Sequence, residues 1–148
     1  MTVMPRHAVR AFAVAAIVAA SGAGCAKDPT SVGVTIDADP TVPPILTMRT
    51  TLSRAADPTK RSSSERASPY AGDAADRPGP FVFPFAWKLT VDPSFAGPVV
   101  VTIEGLDWDT GAVIASGSAD AVVEAQKMTS ASVTLEPVRG GPGDGGTD

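Results

Sequence analysis

The sequence predicts an all-β fold, a single sandwich of about seven short strands, on three observations. Apolar side chains recur at every second position in one run after another. Proline, glycine and aspartate fall between those runs, where turns need them. No stretch beyond residue 25 carries the three-and-four spacing of an amphipathic helix.

The strands are justified in chain order. Val32, Val34 and Ile36 alternate with Gly33, Thr35 and Asp37, the pattern of a half-buried strand. Asp39-Pro40 and Pro43-Pro44 break the chain, with Asp37 and Asp39 placed to cap the turn. Leu46, Met48 and Leu52 then alternate with Thr47, Arg49 and Thr51 as a second strand. Residues 53–80 carry almost no large apolar side chain apart from Tyr70, so the segment is expected to be a long disordered insertion in the sandwich.

Phe81, Phe83, Phe85, Trp87, Leu89 and Val91 occupy alternate positions of the next strand, an aromatic face expected to supply the core. Pro84 cannot donate to a ladder and marks this end as an edge, a bulge or an entry. Val99, Val101 and Ile103 face one way on the following strand, Gly105 permits a bulge, and Leu106 and Trp108 then rejoin the buried face. Asp109-Thr110-Gly111 reads as a hairpin turn. A strand from Val113 ends at Gly117, a weaker one covers residues 121–125, and a turn follows at residues 126–130. Val133 and Leu135 mark the last strand, and Pro137 closes the sandwich, which spans residues 31–137. Residues 138–148 form a glycine-rich tail expected to be disordered.

The start of the chain has a different logic. Arg6, His7 and Arg10 precede an unbroken apolar run from Ala11 to Ala20, then Ser21-Gly22-Ala23-Gly24 and the only cysteine, Cys25. A bilayer-spanning helix needs roughly 20 apolar residues. A shorter run behind a basic start is the secretory signal pattern, so residues 1–24 are expected to be a helical leader. Gly22-Ala23-Gly24-Cys25 resembles a bacterial lipobox, with Gly22 where a branched residue is usual. The resemblance implies cleavage between Gly24 and Cys25, a diacylglyceryl group on the Cys25 sulfur and an acylated new amino terminus. Residues 25–30 would then be a lipidated tether, and the lipid on Cys25 would make a membrane the first partner. Cleavage near Ala23 to a free secreted protein, and a buried unmodified cysteine, are the competing readings. Ala26 and Lys27 follow the cysteine with no aspartate directly after it, which by analogy with lipoprotein sorting favours the outer membrane or the cell surface.

All sixteen acidic residues lie after Cys25 and ten of the twelve basic ones do, so the mature side chains sum to 10 − 16 = −6. That balance argues against a nucleic-acid partner, which needs a basic patch. With one cysteine no disulfide within the chain can form. The single histidine, His7, lies in the leader, so the mature chain has no imidazole for triad, general-base or His/Cys zinc chemistry. Asp107-Trp108-Asp109-Thr110-Gly111 has the Asp-x-Asp-x-Gly start of some calcium loops, which makes Asp107 and Asp109 the candidate ligands. Ser118 stands at the twelfth position, where such a loop needs an acid, and the same aspartates suit a tight turn. Glu104, Glu124 and Glu136 fall on strand faces expected to meet water.

Residues 99–107, 111–117 and 131–137 resemble the C-terminal strands of bacterial immunoglobulin-like domains, and the whole is similar to small extracytoplasmic lipoproteins. The resemblance implies an immunoglobulin-like sandwich with Trp87 in its core, lacking the paired cysteines that such a tryptophan packs against. It carries no activity with it. The expected protein is a lipid-anchored envelope component with a structural or adhesive role, no catalytic residues, no metal and no cofactor. Its partner would be an envelope protein or polysaccharide. A small ligand- or calcium-binding module and a carboxylate-dependent hydrolase on Glu104 or Glu124 are the alternatives.

Overall fold

The structure, a computed structural model, describes residues 28–139. The expected leader, Cys25 and most of the glycine-rich tail lie outside the described residues. Among the described residues the fold is all-β: nine strands and one 3-10 turn at Pro93–Phe95. The strands are β1 (Ser31–Ala38), β2 (Thr47–Arg54), β3 (Arg61–Ala67), β4 (Ala71–Ala74), β5 (Arg77–Pro78), β6 (Phe85–Thr90), β7 (Gly97–Leu106), β8 (Val113–Val123) and β9 (Met128–Pro137). Seven of them form one mixed sheet in the order β3-β2-β7-β8-β9-β1-β6, and β4 and β5 form a separate hairpin. The large sheet curls over its own core and is sandwich-like.

The alternating pattern does what its period demands. Val32, Val34 and Ile36 of β1, Met48, Thr50 and Leu52 of β2, and Val99, Val101 and Ile103 of β7 are all buried, and the residues alternating with them are not, Ser31 excepted. β1 pairs parallel with β9 from Ser31↔Met128 to Ala38↔Leu135 and antiparallel with β6 from Ser31↔Thr90 to Ile36↔Phe85. Between β8 and β9 the ladder is brief, Ala115↔Pro137 and Ser116↔Glu136. There the sheet turns back on itself, with β6, β1 and β9 on one side and β3, β2, β7 and β8 on the other.

The structure corrects four expectations. Segment 53–80 is not a structureless insertion: it supplies β3, the β4–β5 hairpin and a seven-pair ladder from Thr47↔Ala67 to Ser53↔Arg61. β3 is exposed along its whole length, so burial does not hold it. Backbone hydrogen bonds to β2 do, and such bonds leave no mark in the pattern of apolar side chains. Gly117 does not end a strand; β8 runs unbroken from Val113 to Val123. A Cβ at Gly117 would collide with the Thr134 carbonyl, so the glycine lets β9 lie against the backbone of β8 at the fold of the sheet. Trp108 is 38% exposed because β7 stops at Leu106 and the turn starts at once. The core is aliphatic at its centre, with Ile36, Ile45, Met48, Ile103 and Leu135 its largest fully buried side chains.

The aromatic row is shorter as a strand than its pattern, beginning at Phe85 because Pro84 cannot donate to the ladder. The alternation itself holds. Phe81 and Trp87 are buried, and Phe83, Phe85 and Leu89 pack partly buried against the core. Phe85 meets Phe81 edge-on at 5.1 Å and Trp87 at 6.2 Å between ring centres, favoured aromatic geometries. The expected bulge is present, a register shift between Gly105 and Leu106.

Gly117→Ala is expected to destabilise the fold by about 1–3 kcal/mol, the usual cost of forcing atoms into a filled site. Gly33→Ala, whose Cβ would meet its nearest neighbour at an ordinary 3.7 Å, should be tolerated. Urea unfolding of the two variants checks the contrast.

Candidate functional site

Strand direction sorts the loops into two groups. β1, β3, β7 and β9 run one way along the sandwich, and β2, β6 and β8 run the other. One end therefore holds Thr30, residues 55–60, residues 91–96 and residues 124–127. The other holds residues 39–46, residues 68–84 with the β4–β5 hairpin, residues 107–112 and the exit of the chain after Pro137. The chain enters and leaves the sandwich at opposite ends.

The entry end is fastened by Thr30. Its Oγ1 accepts the Gln126 amide at 2.9 Å and its carbonyl accepts the Val91 amide at 2.9 Å. The exit end is built on aspartate turns. Asp39 Oδ1 accepts the Thr41 amide at 2.9 Å and the Thr41 hydroxyl at 2.6 Å, and Asp37 Oδ1 accepts the Ala38 amide at 2.8 Å. Asp107 Oδ1 accepts the amides of Asp109 at 3.0 Å and Thr110 at 2.8 Å and the Thr110 hydroxyl at 2.8 Å. Gly111, at φ +72°, closes this turn by donating to the Asp107 carbonyl at 2.8 Å. The expected hairpin turn is thus present, with Asp107 as its organiser and one oxygen of that carboxylate given to the protein's own amides.

These bonds favour the charged carboxylate. The Thr41 hydroxyl and then the Thr41 amide lower the pKa of Asp39. The Thr110 amide and then its hydroxyl lower that of Asp107, with a further pull from the nearby charge of Arg77. Asp37, Asp39, Asp73, Asp76, Asp107 and Asp109 gather at this end, against Arg77 and Arg139. Beside them Asp37, Asp39, Val42, Ile45, Phe81 and Phe83, with four prolines of the loops, line an open groove of about 420 Å³. A mainly polar accessible lining and an acidic rim suit a basic surface.

The carboxylates singled out from the sequence do not converge. Glu104 is half-buried under Arg49, which also holds Glu65: Arg49 Nη2 lies 2.8 Å from Glu65 and Nη1 lies 3.3 Å from Glu104. Glu124 pairs with Lys127 at 2.6 Å at the entry end, and Glu136 lies on β9. Among the described residues no three His, Cys, Asp or Glu side chains are grouped as they would be around an ion. Sequence reading missed the Arg49 bridge because one partner, Glu65, sits in the segment taken as an insertion. It also missed the guanidinium of Arg66 over the Trp87 ring at 4.6 Å for the same reason.

The sign of the pH dependence follows from the lowered carboxylates. Asp39 and Asp107 bind protons less readily folded than unfolded, so what they add to stability is complete above the ordinary value of 3.8 and is lost as pH falls through their lower folded-state values. The melting temperature is expected to be flat between about pH 5 and 8 and to drop below about pH 4, less steeply in the Asp39→Asn, Asp107→Asn double variant. Thermal melts across that range check it.

No protein-family model, no curated protein and no solved structure matches this chain.

Proposed function

We propose that the protein is an extracytoplasmic lipoprotein, anchored through lipid on Cys25, that stands on the membrane by the end carrying Thr30. It presents the acidic loops and the proline–aromatic groove of the opposite end to another envelope component. The role is structural or adhesive and involves no catalytic step. The observation that carries the reading is the polarity of the sandwich. Among the described residues the first docked to the fold is Thr30, five residues after Cys25, a span of at most about 17 Å. β1 then carries the chain about 26 Å away at the ordinary rise of its eight residues. A tether on one end and a charged, grooved surface on the other is the arrangement an adhesive module needs.

The aspartates of the exit end favour a basic protein segment over an anionic polysaccharide, because like charge opposes the second. The lipobox resemblance and the immunoglobulin-like likeness of residues 99–137 support the same reading. Among the described residues no helix is long and apolar enough to cross a membrane, and the reading places attachment in the lipid.

Cys25→Ser is expected to abolish palmitate incorporation and to release the protein from the membrane fraction. Intact mass of the native protein should show a chain beginning at Cys25 with acyl mass added. An Asp39→Lys, Phe83→Ala double variant should remain membrane-bound and folded but lose a cross-linked envelope partner that Lys127→Ala retains. Membrane attachment of the Cys25→Ser protein would overturn the anchor, and retention of the partner by the double variant would overturn the presented surface.

A further inference from the structure

The strand order leaves two strands of the large sheet with a free edge among the described residues, β3 and β6. The two edges are not equally protected. Native edges are blunted by proline, lysine, bulges or short length. Pro84 stands just before β6, and Lys88 lies in its middle. β3 contains no proline, no lysine and no register shift against β2, and every residue of it is exposed.

The register fixes which backbone groups face that edge. Arg54 donates to the Lys60 carbonyl at 3.0 Å and Ser68 to the Leu46 carbonyl at 2.8 Å, one at each end of the ladder. Hydrogen-bonded pairs alternate along antiparallel strands. Residues 62, 64 and 66 therefore direct their amides and carbonyls to β2, and those of Arg61, Ser63, Glu65 and Ala67 point away from it. An antiparallel partner strand must meet these odd-numbered residues.

The charges on the same residues select the partner. Arg61, Ser63 and Glu65 share one face of β3, and Arg61 and Glu65 flank Ser63 symmetrically with opposite charge. The Arg61 guanidinium makes no ion pair among the described residues. Glu65 accepts both Arg49 bonds on Oε1, which leaves Oε2 to a further donor.

We propose that β3 pairs edge to edge with β3 of a second copy of this chain, antiparallel about a two-fold axis at Ser63. Arg61 of each copy then stands opposite Glu65 of the other, Ser63 meets Ser63, and these pairs exchange backbone hydrogen bonds in both directions. On the inner face Ser62 meets Ser64. The same register sets Lys60 opposite Arg66, but each is held on its own chain, Lys60 by the Ser94 carbonyl at 3.2 Å and Arg66 over the Trp87 ring at 4.6 Å. Both copies use the same edge, so the assembly closes at two. An antiparallel pair points the two Thr30 ends in opposite directions. On the anchored reading above, the two copies are rooted in facing surfaces; the pairing itself does not rest on that reading.

The full Cys25→Ser chain, which carries no lipid, tests the pairing in solution. Sedimentation velocity over a rising concentration series is expected to show monomer passing to dimer and no larger species. Arg61→Glu sets like charges opposite one another and should weaken association at least about tenfold, and adding Glu65→Arg should recover it. Ser63→Pro removes an amide at the axis without touching the β2 ladder and should leave monomer only. Lys88→Glu, on the other edge, should change nothing. A chain that stays monomeric to about 1 mM overturns the proposal. So does a dimer that survives Ser63→Pro or is unmoved by Arg61→Glu, and the second of these, an exposed substitution, decides the matter even where Ser63→Pro fails to fold. A double variant that melts like the parent and still fails to associate overturns the pairing of Arg61 with Glu65.

Discussion

The fold depends on the place where the sheet turns back, the short junction of β8 and β9. Only Ala115↔Pro137 and Ser116↔Glu136 are paired there, and Gly117 then lets the two backbones lie against one another. A longer antiparallel ladder at that point would flatten the sheet and leave two apolar faces in water. A side chain at residue 117 would hold the strands apart and open the core. Because the turn-back occurs between the fourth and fifth strands of the order, β3 and β6 come to face one another at the free edges. The junction therefore sets the core, the two free edges and the division of the loops between two ends.

The positions of several strands and their buried faces were legible because they follow from burial. The residues 32–36, 46–52, 99–106 and 133–135 alternate, and each alternation became a strand with its apolar face inward. The turn at Asp107–Gly111 was legible from its aspartates and glycine. β3 was not legible. Arg61-Ser-Ser-Ser-Glu-Arg66 has no apolar side chain, and its pairing with β2 is a fact about a neighbour distant in the sequence, which local pattern cannot hold. Gly117 misled for a related reason. A glycine in a strand signals either an end or a close approach, and only the partner strand decides which.

The candidate sites divide along the same line. The aspartates of the exit end were visible as residues, and Asp37, Asp39, Asp107 and Asp109 do share one end of the sandwich. That they share it with the β4–β5 hairpin and a groove lined in part by Phe81 and Phe83 needed the topology. The free edge of β3 was invisible, since the strand itself had no sequence signal.

The polar strand β3 links these features physically. It has a seven-pair backbone ladder on one edge and nothing hydrogen-bonded on the other. Its outward side chains tie it to β2 through Arg49–Glu65 and through the Thr51 and Ser63 hydroxyls, 3.1 Å apart. Exposed pairs of this kind hold register more than they add stability. Its inward row of Ser62, Ser64 and Arg66 replaces the aliphatic side chains that would seal an ordinary sandwich edge. An aliphatic row there would have closed the gap between β3 and β6 and stiffened β3, and would also have made a long apolar edge open to pairing with other chains. The polar row avoids that hazard. The Arg66 guanidinium stacked on the Trp87 ring then ties this polar edge to the core without an aliphatic side chain.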